Sequence, residues 1–145
     1  MVPSTLQAPL VAGLDVLGFM IGVWRVQGVM HGEAVVGRAV IQPALEGALL
    51  SMHETIFRPD GAIDYEDLCL YRFDPAEADL AVHHFTAPYG HAEHKVLPLE
   101  QGRGFHWVHK TTPGPFVRVL RGEPWSIEVW HPDGRAPEIV MHYLR

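Results

Sequence analysis

Two acidic residues in apolar surroundings are the first candidates for chemistry. Glu54 lies between Met52 and Ile56 at the two-residue spacing of a strand face. Asp67 shares such a spacing with Tyr65 and with the residues that follow it. A buried carboxyl group must be paired, hydrogen-bonded or kept neutral. We therefore expect these carboxyls either to orient the polar end of a ligand or to work with a histidine as an acid–base pair.

The same strand faces supply the other residues of the predicted pocket. The partners of the carboxyls are expected among Tyr65, Tyr71, His83 and Arg118. The apolar body of a ligand is expected to contact Met52, Phe73, Phe85 and Trp107. The opposite phase of the third strand is equally consistent with the sequence, because a shift of one residue swaps the two faces. That phase exposes Glu54 and turns His53 and Phe57 inward.

Ten histidines raise the question of a metal site. The closest groupings are His83-His84, His91-x-x-His94 and His106-x-x-His109, with His53 further away. Residues one or three apart on a regular strand point to opposite faces, whereas a metal site needs three or four convergent ligands. We predict no metal site, and no cofactor is specified. Cys69 lies in an apolar strand without a basic neighbour, which indicates a buried, inert thiol.

Short strands separated by turns must position these residues. The clearest turn is Arg58-Pro59-Asp60-Gly61, because Asp-Gly readily takes positive φ angles. The expected strands cover about 23–30, 34–42, 48–58, 64–73, 80–87, 92–99, 105–111, 116–121, 125–131 and 138–144. A short helix is expected within Leu10–Met20. The pattern predicts an all-β fold with one domain over residues 1–145, a single antiparallel up-and-down β-barrel of about ten strands.

Composition excludes several functional classes. The formal net charge is -6 without a basic stripe, which argues against nucleic-acid binding. A single cysteine excludes an intramolecular disulfide. The apolar run over residues 10–26 is interrupted by glycines and Asp15, so we expect neither a signal peptide nor a membrane span. These observations predict a cytoplasmic protein.

Several short segments resemble those of uncharacterised bacterial lipocalin-like proteins of the calycin superfamily, which are distantly similar to fatty-acid-binding proteins and nitrobindins. The segments are Leu17-Gly18-Phe19-Met20-Ile21-Gly22-Val23-Trp24, Phe57-Arg58-Pro59-Asp60-Gly61, Asp64-Tyr65-Glu66-Asp67-Leu68, Tyr71-Arg72-Phe73-Asp74-Pro75 and Met141-His142-Tyr143-Leu144-Arg145. The resemblance implies a cup-shaped barrel in which Trp24 packs under Arg145 as a cation–π pair at the closed end. The alternative is that Trp24 is simply a core aromatic residue.

The resemblance also implies the function. A lipocalin-like barrel implies non-covalent binding of a small apolar or amphipathic molecule in its lumen, and this is the leading prediction. The similarity to nitrobindins implies an alternative, haem bound through His142, since residues 22–28 fit Gly-x-Trp-x-x-x-Gly. A third alternative is an enzyme that uses Glu54 or Asp67 with a histidine. The sequence favours a binding protein over an enzyme, and it leaves a homodimer open.

Overall fold

Alternation of apolar and polar residues produces ten antiparallel strands in the described part of the chain. The computed structural model of the protein describes residues 9–88, 90–109 and 116–145. The strands are β1 Gly22–Met30, β2 Glu33–Ala44, β3 Leu49–Phe57, β4 Ile63–Asp74, β5 Asp79–Thr86, β6 Gly90–Pro98, β7 Gly104–His109, β8 Phe116–Leu120, β9 Trp125–Trp130 and β10 Pro137–Leu144. The predicted end of the seventh strand, beyond His109, lies outside the described residues.

The strands close into a barrel in which each is hydrogen-bonded to its neighbours in sequence. β10 returns to pair with β1, with Val26 opposite Tyr143. The predicted all-β, antiparallel up-and-down barrel is therefore confirmed. Closure leaves neither β1 nor β10 with a row of unpaired backbone groups.

A 3₁₀ helix closes one end of the barrel. It covers Asp15–Met20, so the observed helix occupies only the second half of the predicted range Leu10–Met20. Gly13 precedes it at a φ of 91°, which keeps that residue out of a regular helix. Leu14, Leu17 and Met20 are fully buried beneath the barrel wall. Two further 3₁₀ turns cover Leu45–Gly47 and Glu100–Gly102. Among the described residues, no helix has the length and apolar character to cross a membrane.

Trp24 fixes the helix to the barrel. Its indole Nε1 donates a hydrogen bond to the carbonyl of Met20 at 2.8 Å. The guanidinium of Arg145 lies 4.2 Å from the centre of the Trp24 ring, so the expected cation–π contact is present. The indole also contacts Trp125 edge to face, with the ring centres 5.6 Å apart. The closed end is thus a packed aromatic core.

Candidate functional site

β3 turns Glu54 into the barrel and His53 out of it. Glu54 is only 5% exposed, whereas the His53 side chain lies at the surface and its Nε2 is 2.7 Å from Oε2 of Glu66. Leu50, Met52 and Ile56 share the inner face of β3 and are fully buried. Of the two phases that are consistent with the sequence, β3 therefore adopts the one that buries the carboxyl group of Glu54.

The register of β3 and β4 places the two inward carboxyls side by side. Glu54 and Asp67 are direct cross-strand partners, and Asp67 is also buried. A register shift between Ile56 and Phe57 marks a bulge beside Tyr65, at the start of β4. Bulges re-aim the side chains next to them. Glu54 and Asp67 lie closer to the turn that joins β3 and β4 than to the other ends of these strands.

A cavity of about 210 Å³ lies beside these residues. We call it the inner cavity. Its apolar wall consists of Met30, Met52, Trp107, Val117, Ile127, Val129, Ile139 and Met141. Its polar wall consists of Glu54, Tyr65, Asp67, Cys69, His84, His94 and Tyr143. Polar groups gathered against an apolar surface are typical of small-molecule sites.

Glu54 is paired with Tyr143. The Tyr143 hydroxyl donates a very short hydrogen bond to Oε2 of Glu54. The pKa of Glu54 is raised to about 8, chiefly by burial and in addition by the negative charge of Asp67, while the Tyr143 hydrogen bond acts in the opposite direction. The carboxyl group is therefore mostly protonated at neutral pH and retains a proton to donate.

Asp67 belongs to a second hydrogen-bonded group. Its Oδ2 lies 2.8 Å from Nε2 of His84 and accepts a hydrogen bond from the Tyr65 hydroxyl at 3.1 Å. Tyr65 also lies 3.0 Å from the same His84 nitrogen. Burial and the charge of Asp67 raise the pKa of Tyr65, so the phenol stays neutral. Carboxylate, imidazole and phenol thus form a compact triad on the cavity wall.

Two inward histidines contact the ring of Trp107. The His84 and His94 rings each have their centre 5.3 Å from that of Trp107. Trp107 also contacts the fully buried Tyr71, whose ring meets the indole edge to face at 6.1 Å. Cys69, the direct partner of His84 across β4 and β5, is a free buried cysteine. Burial raises the pKa of its thiol, and the charges of Asp67 and Glu54 raise it further.

Only some of the predicted ligand-binding residues line the inner cavity. Those that line the inner cavity are Met52, Glu54, Tyr65, Asp67 and Trp107. Tyr71 is fully buried in the core instead. Phe73 also lies away from the cavity, where its ring packs against Gly13 near the closed end.

His83 and Phe85 face outward, which corrects the predicted phase of β5. Phe85 is partly exposed and stacks on the His91 ring at 4.5 Å, and His83 stacks on the same ring at 6.0 Å. The aromatic character of Phe85 favoured the wrong face, whereas Val82 and His84 occupy the inner one. Arg118, a proposed partner of the carboxyls, is also outside and lies 5.3 Å from the Trp130 ring.

Local sequence patterns do not identify several residues of the site. They indicate His84 and His94 only as members of histidine pairs, and Cys69 only as an inert thiol. Tyr143 appears only within one of the segments that carry the family resemblance. The pairing of neighbouring strands is the signal that could identify these residues. Once Cys69 faces inward, its partner on β5 must do so too, and β10 must bring Tyr143 to the barrel interior to close the sheet.

His142 lines neither the inner cavity nor the open cleft near Trp24 and Arg145. It is exposed on the outer face of β10, opposite Gln27 and Ser126. An open cleft of about 570 Å³ lies against the closed end, near Trp24 and Arg145. We place the candidate site in the smaller inner cavity, because that cavity contains the buried hydrogen-bonded groups.

No protein-family model matches the chain, and no curated protein matches it.

Proposed function

We propose that the protein binds a small, largely apolar molecule with one polar end in the inner cavity. The observation that carries this proposal is the two-sided wall of the cavity, in which Glu54–Tyr143 and Asp67–His84 face a continuous apolar surface. A pocket of this kind binds an apolar body by burial and orients it through a few polar groups.

The volume limits the ligand. The cavity measures about 210 Å³. A cavity of about 150 Å³ admits benzene, whereas sites for drug-sized molecules occupy about 300–1,000 Å³. A one-ring or short-chain compound suits this space. Haem and a long fatty acid are too large for it, so haem binding through His142 gains no support from the inner cavity.

The polar wall indicates which groups a ligand could carry. Protonated Glu54 can donate a hydrogen bond to a carbonyl or hydroxyl oxygen. Asp67 can accept one from a hydroxyl or amine. No lysine or arginine is present among the described residues that line the cavity. A neutral hydroxyl or carbonyl compound is therefore favoured over an anionic one, because an anion would meet two buried acids without a cation.

Methionine methyl groups provide a direct binding assay. Met30, Met52 and Met141 line the cavity, whereas Met20 is buried in the closed end and provides an internal control. In ¹³C-methyl-methionine NMR, 4-methylphenol should shift the three cavity signals in a saturable way and leave Met20 unchanged. Toluene, which lacks the hydroxyl, should bind more weakly. Native mass spectrometry of the purified protein would also detect a retained ligand and report a homodimer.

A pair of valine substitutions provides the control for this assay. Val129 lines the cavity, whereas Val36 is exposed on the outer face of β2. Val129→Phe should fill the space and abolish the shifts, and Val36→Phe should leave them unchanged. The proposal fails if folded protein shows no saturable shift with either compound and retains no ligand. It also fails if Val129→Phe binds as the wild type does.

Proton transfer on the bound molecule is a second candidate function. It is favoured by the 2.8 Å contact between Asp67 and His84 inside the cavity, which is the reach that acid–base catalysis needs. Once a ligand is identified, its carbon-bound hydrogens should exchange in D₂O with wild-type protein and not with Asp67→Asn. Absence of exchange with a bound ligand would leave binding as the function.

Membership of the lipocalin-like proteins is part of this proposal, supported by the quoted segments and by the barrel architecture. The cytoplasmic location and the homodimer stay predictions.

A further inference from the structure

Strand register brings three metal-binding side chains together on the wall of the inner cavity. Asp67 and Cys69 point inward two residues apart on β4, and His84 on β5 is the direct partner of Cys69. A carboxylate oxygen, a sulfur and an imidazole nitrogen of these residues lie within 4.8 Å of one another. The cluster therefore combines three different ligand chemistries from two adjacent strands.

We propose that Asp67, Cys69 and His84 bind a divalent transition-metal ion of the zinc class. Zinc binds carboxylate oxygen, thiolate and imidazole at about 2.0–2.3 Å, so small side-chain rotations suffice to bring the three groups onto one ion. A thiolate ligand disfavours the hard cations magnesium and calcium, which prefer oxygen. Three protein ligands leave a fourth position, which here faces the cavity, for water or a bound molecule.

The Asp67 carboxylate provides an independent reason to expect an ion. Asp67 is 7% exposed, and its Oδ1 has no hydrogen-bond partner among the described residues. Its other oxygen already contacts His84 and Tyr65. Buried carboxylate oxygens are rarely left without a partner, and binding of an ion is one way to satisfy them. A metal at this position would satisfy the oxygen.

Charge balance supports the same assignment. The Asp67 carboxylate is buried, and the described cavity lining contains no lysine or arginine to offset it. Positive charge is strongly stabilised beside carboxylates in a low-dielectric site. A bound ion would take the place of the proton shared by Asp67 and His84, and the Cys69 thiol proton would be released to solvent.

Cobalt(II) replaces zinc as a coloured probe in the test. The full chain is first stripped with a chelator and then titrated with cobalt(II). We expect one equivalent to bind, with visible bands of tetrahedral intensity and a thiolate-to-metal charge-transfer band. Zinc(II) should displace the colour. Cadmium-113 NMR of the wild-type protein should show one signal in the range of a single thiolate ligand, which requires no variant.

Matched substitutions separate the site from adventitious surface binding. Cys69→Ser should remove the charge-transfer band, and His84→Gln should weaken binding by more than roughly tenfold, since loss of even an outer-shell partner costs about 10- to 100-fold. His83→Gln changes the neighbouring, outward histidine and should leave binding unchanged. Methionine methyl spectra check that each variant is folded.

Three results would overturn the proposal. The first is a folded wild-type protein that gives no cobalt or cadmium signal. The second is a cobalt spectrum that Cys69→Ser leaves intact. The third is loss of binding in His83→Gln, which would assign the metal to the outer histidines. Each result is independent of 4-methylphenol binding, so the failure of one proposal does not imply the failure of the other.

Discussion

Glu54 and Asp67 face each other across β3 and β4 as two buried carboxyl groups on the same inner surface. They differ in their partners, because Glu54 bonds to one tyrosine while Asp67 contacts a histidine and a second tyrosine. Neighbouring carboxyls cannot both ionise freely in a low-dielectric site. The pair therefore contains a protonated member, Glu54, beside Asp67, which is hydrogen-bonded to His84 and Tyr65.

The stability of the protein should fall with rising pH because of Glu54. Its pKa is about 8 in the folded protein, against an ordinary value of 4.5 for a glutamate side chain. Between these values the folded state holds a proton that the unfolded chain releases, so the free energy of unfolding decreases as pH increases. At about 1.4 kcal/mol per pH unit, the loss is on the order of a few kcal/mol. Urea unfolding across this interval measures it.

Glu54→Gln should remove most of that pH dependence, because a neutral amide replaces the protonated acid. The outward neighbour provides the control, since His53→Gln affects only a surface pair with Glu66. Its effect should be about 0–1 kcal/mol. An unchanged slope in Glu54→Gln would contradict the assignment of a raised pKa to this carboxyl.

Tyr143→Phe should raise the pKa of Glu54, because it removes a hydrogen-bond donor to that carboxyl group. The Tyr143 hydroxyl bonds to Glu54 and holds the Glu54 pKa below the value that burial alone would give. Its removal should destabilise the protein by about 1–3 kcal/mol, because a buried polar group loses its partner. The steep part of the stability profile should move to higher pH. A profile that moved to lower pH would show that the hydrogen bond does not favour the ionised acid.

Trp24→Phe should destabilise the closed end without altering the inner cavity. The change removes the hydrogen bond to the Met20 carbonyl, at about 1–3 kcal/mol, and weakens the contact with Arg145. Thermal unfolding measures the loss, and the cavity methionine signals should remain in place. Trp130→Phe is the matched control, since Trp130 also donates a hydrogen bond and lies near an arginine but is only half-buried. Equal losses would contradict a special role for Trp24.

Gly28→Ala should destabilise the seam between β1 and β10. An added Cβ would overlap the carbonyl oxygen of Val140 and press on the backbone of Met141. Overpacking of this kind costs about 1–3 kcal/mol, and more where the backbone must move. Gly18→Ala meets no atom within 4 Å and should be neutral or slightly stabilising. Denaturant unfolding of the two variants should give effects of opposite sign or clearly different size.

The sequence specified the barrel more completely than the site. Strand alternation and turn residues such as Asp60-Gly61 locate the strands, because these signals are local. The pairing of β5 with β4 decides which face of β5 points into the barrel. The local sequence instead favours Phe85 over His84 as the inward residue. The apolar character of β3 fitted two phases, and only the packed barrel selects the one that buries Glu54. The periodicity of a single strand cannot predict a site whose residues come from several strands.

Closure of the barrel depends on a single long-range pairing. Every other strand pair joins neighbours in sequence, whereas β1 pairs with β10, the strand most distant from it in sequence. Contacts so distant in sequence form slowly, since loop entropy opposes them. Until β10 arrives, β1 is an open edge that can recruit strands of other chains. Pairing of β10 with β1 therefore protects the chain from aggregation, and slow formation of β10 would prolong the exposure of the β1 edge.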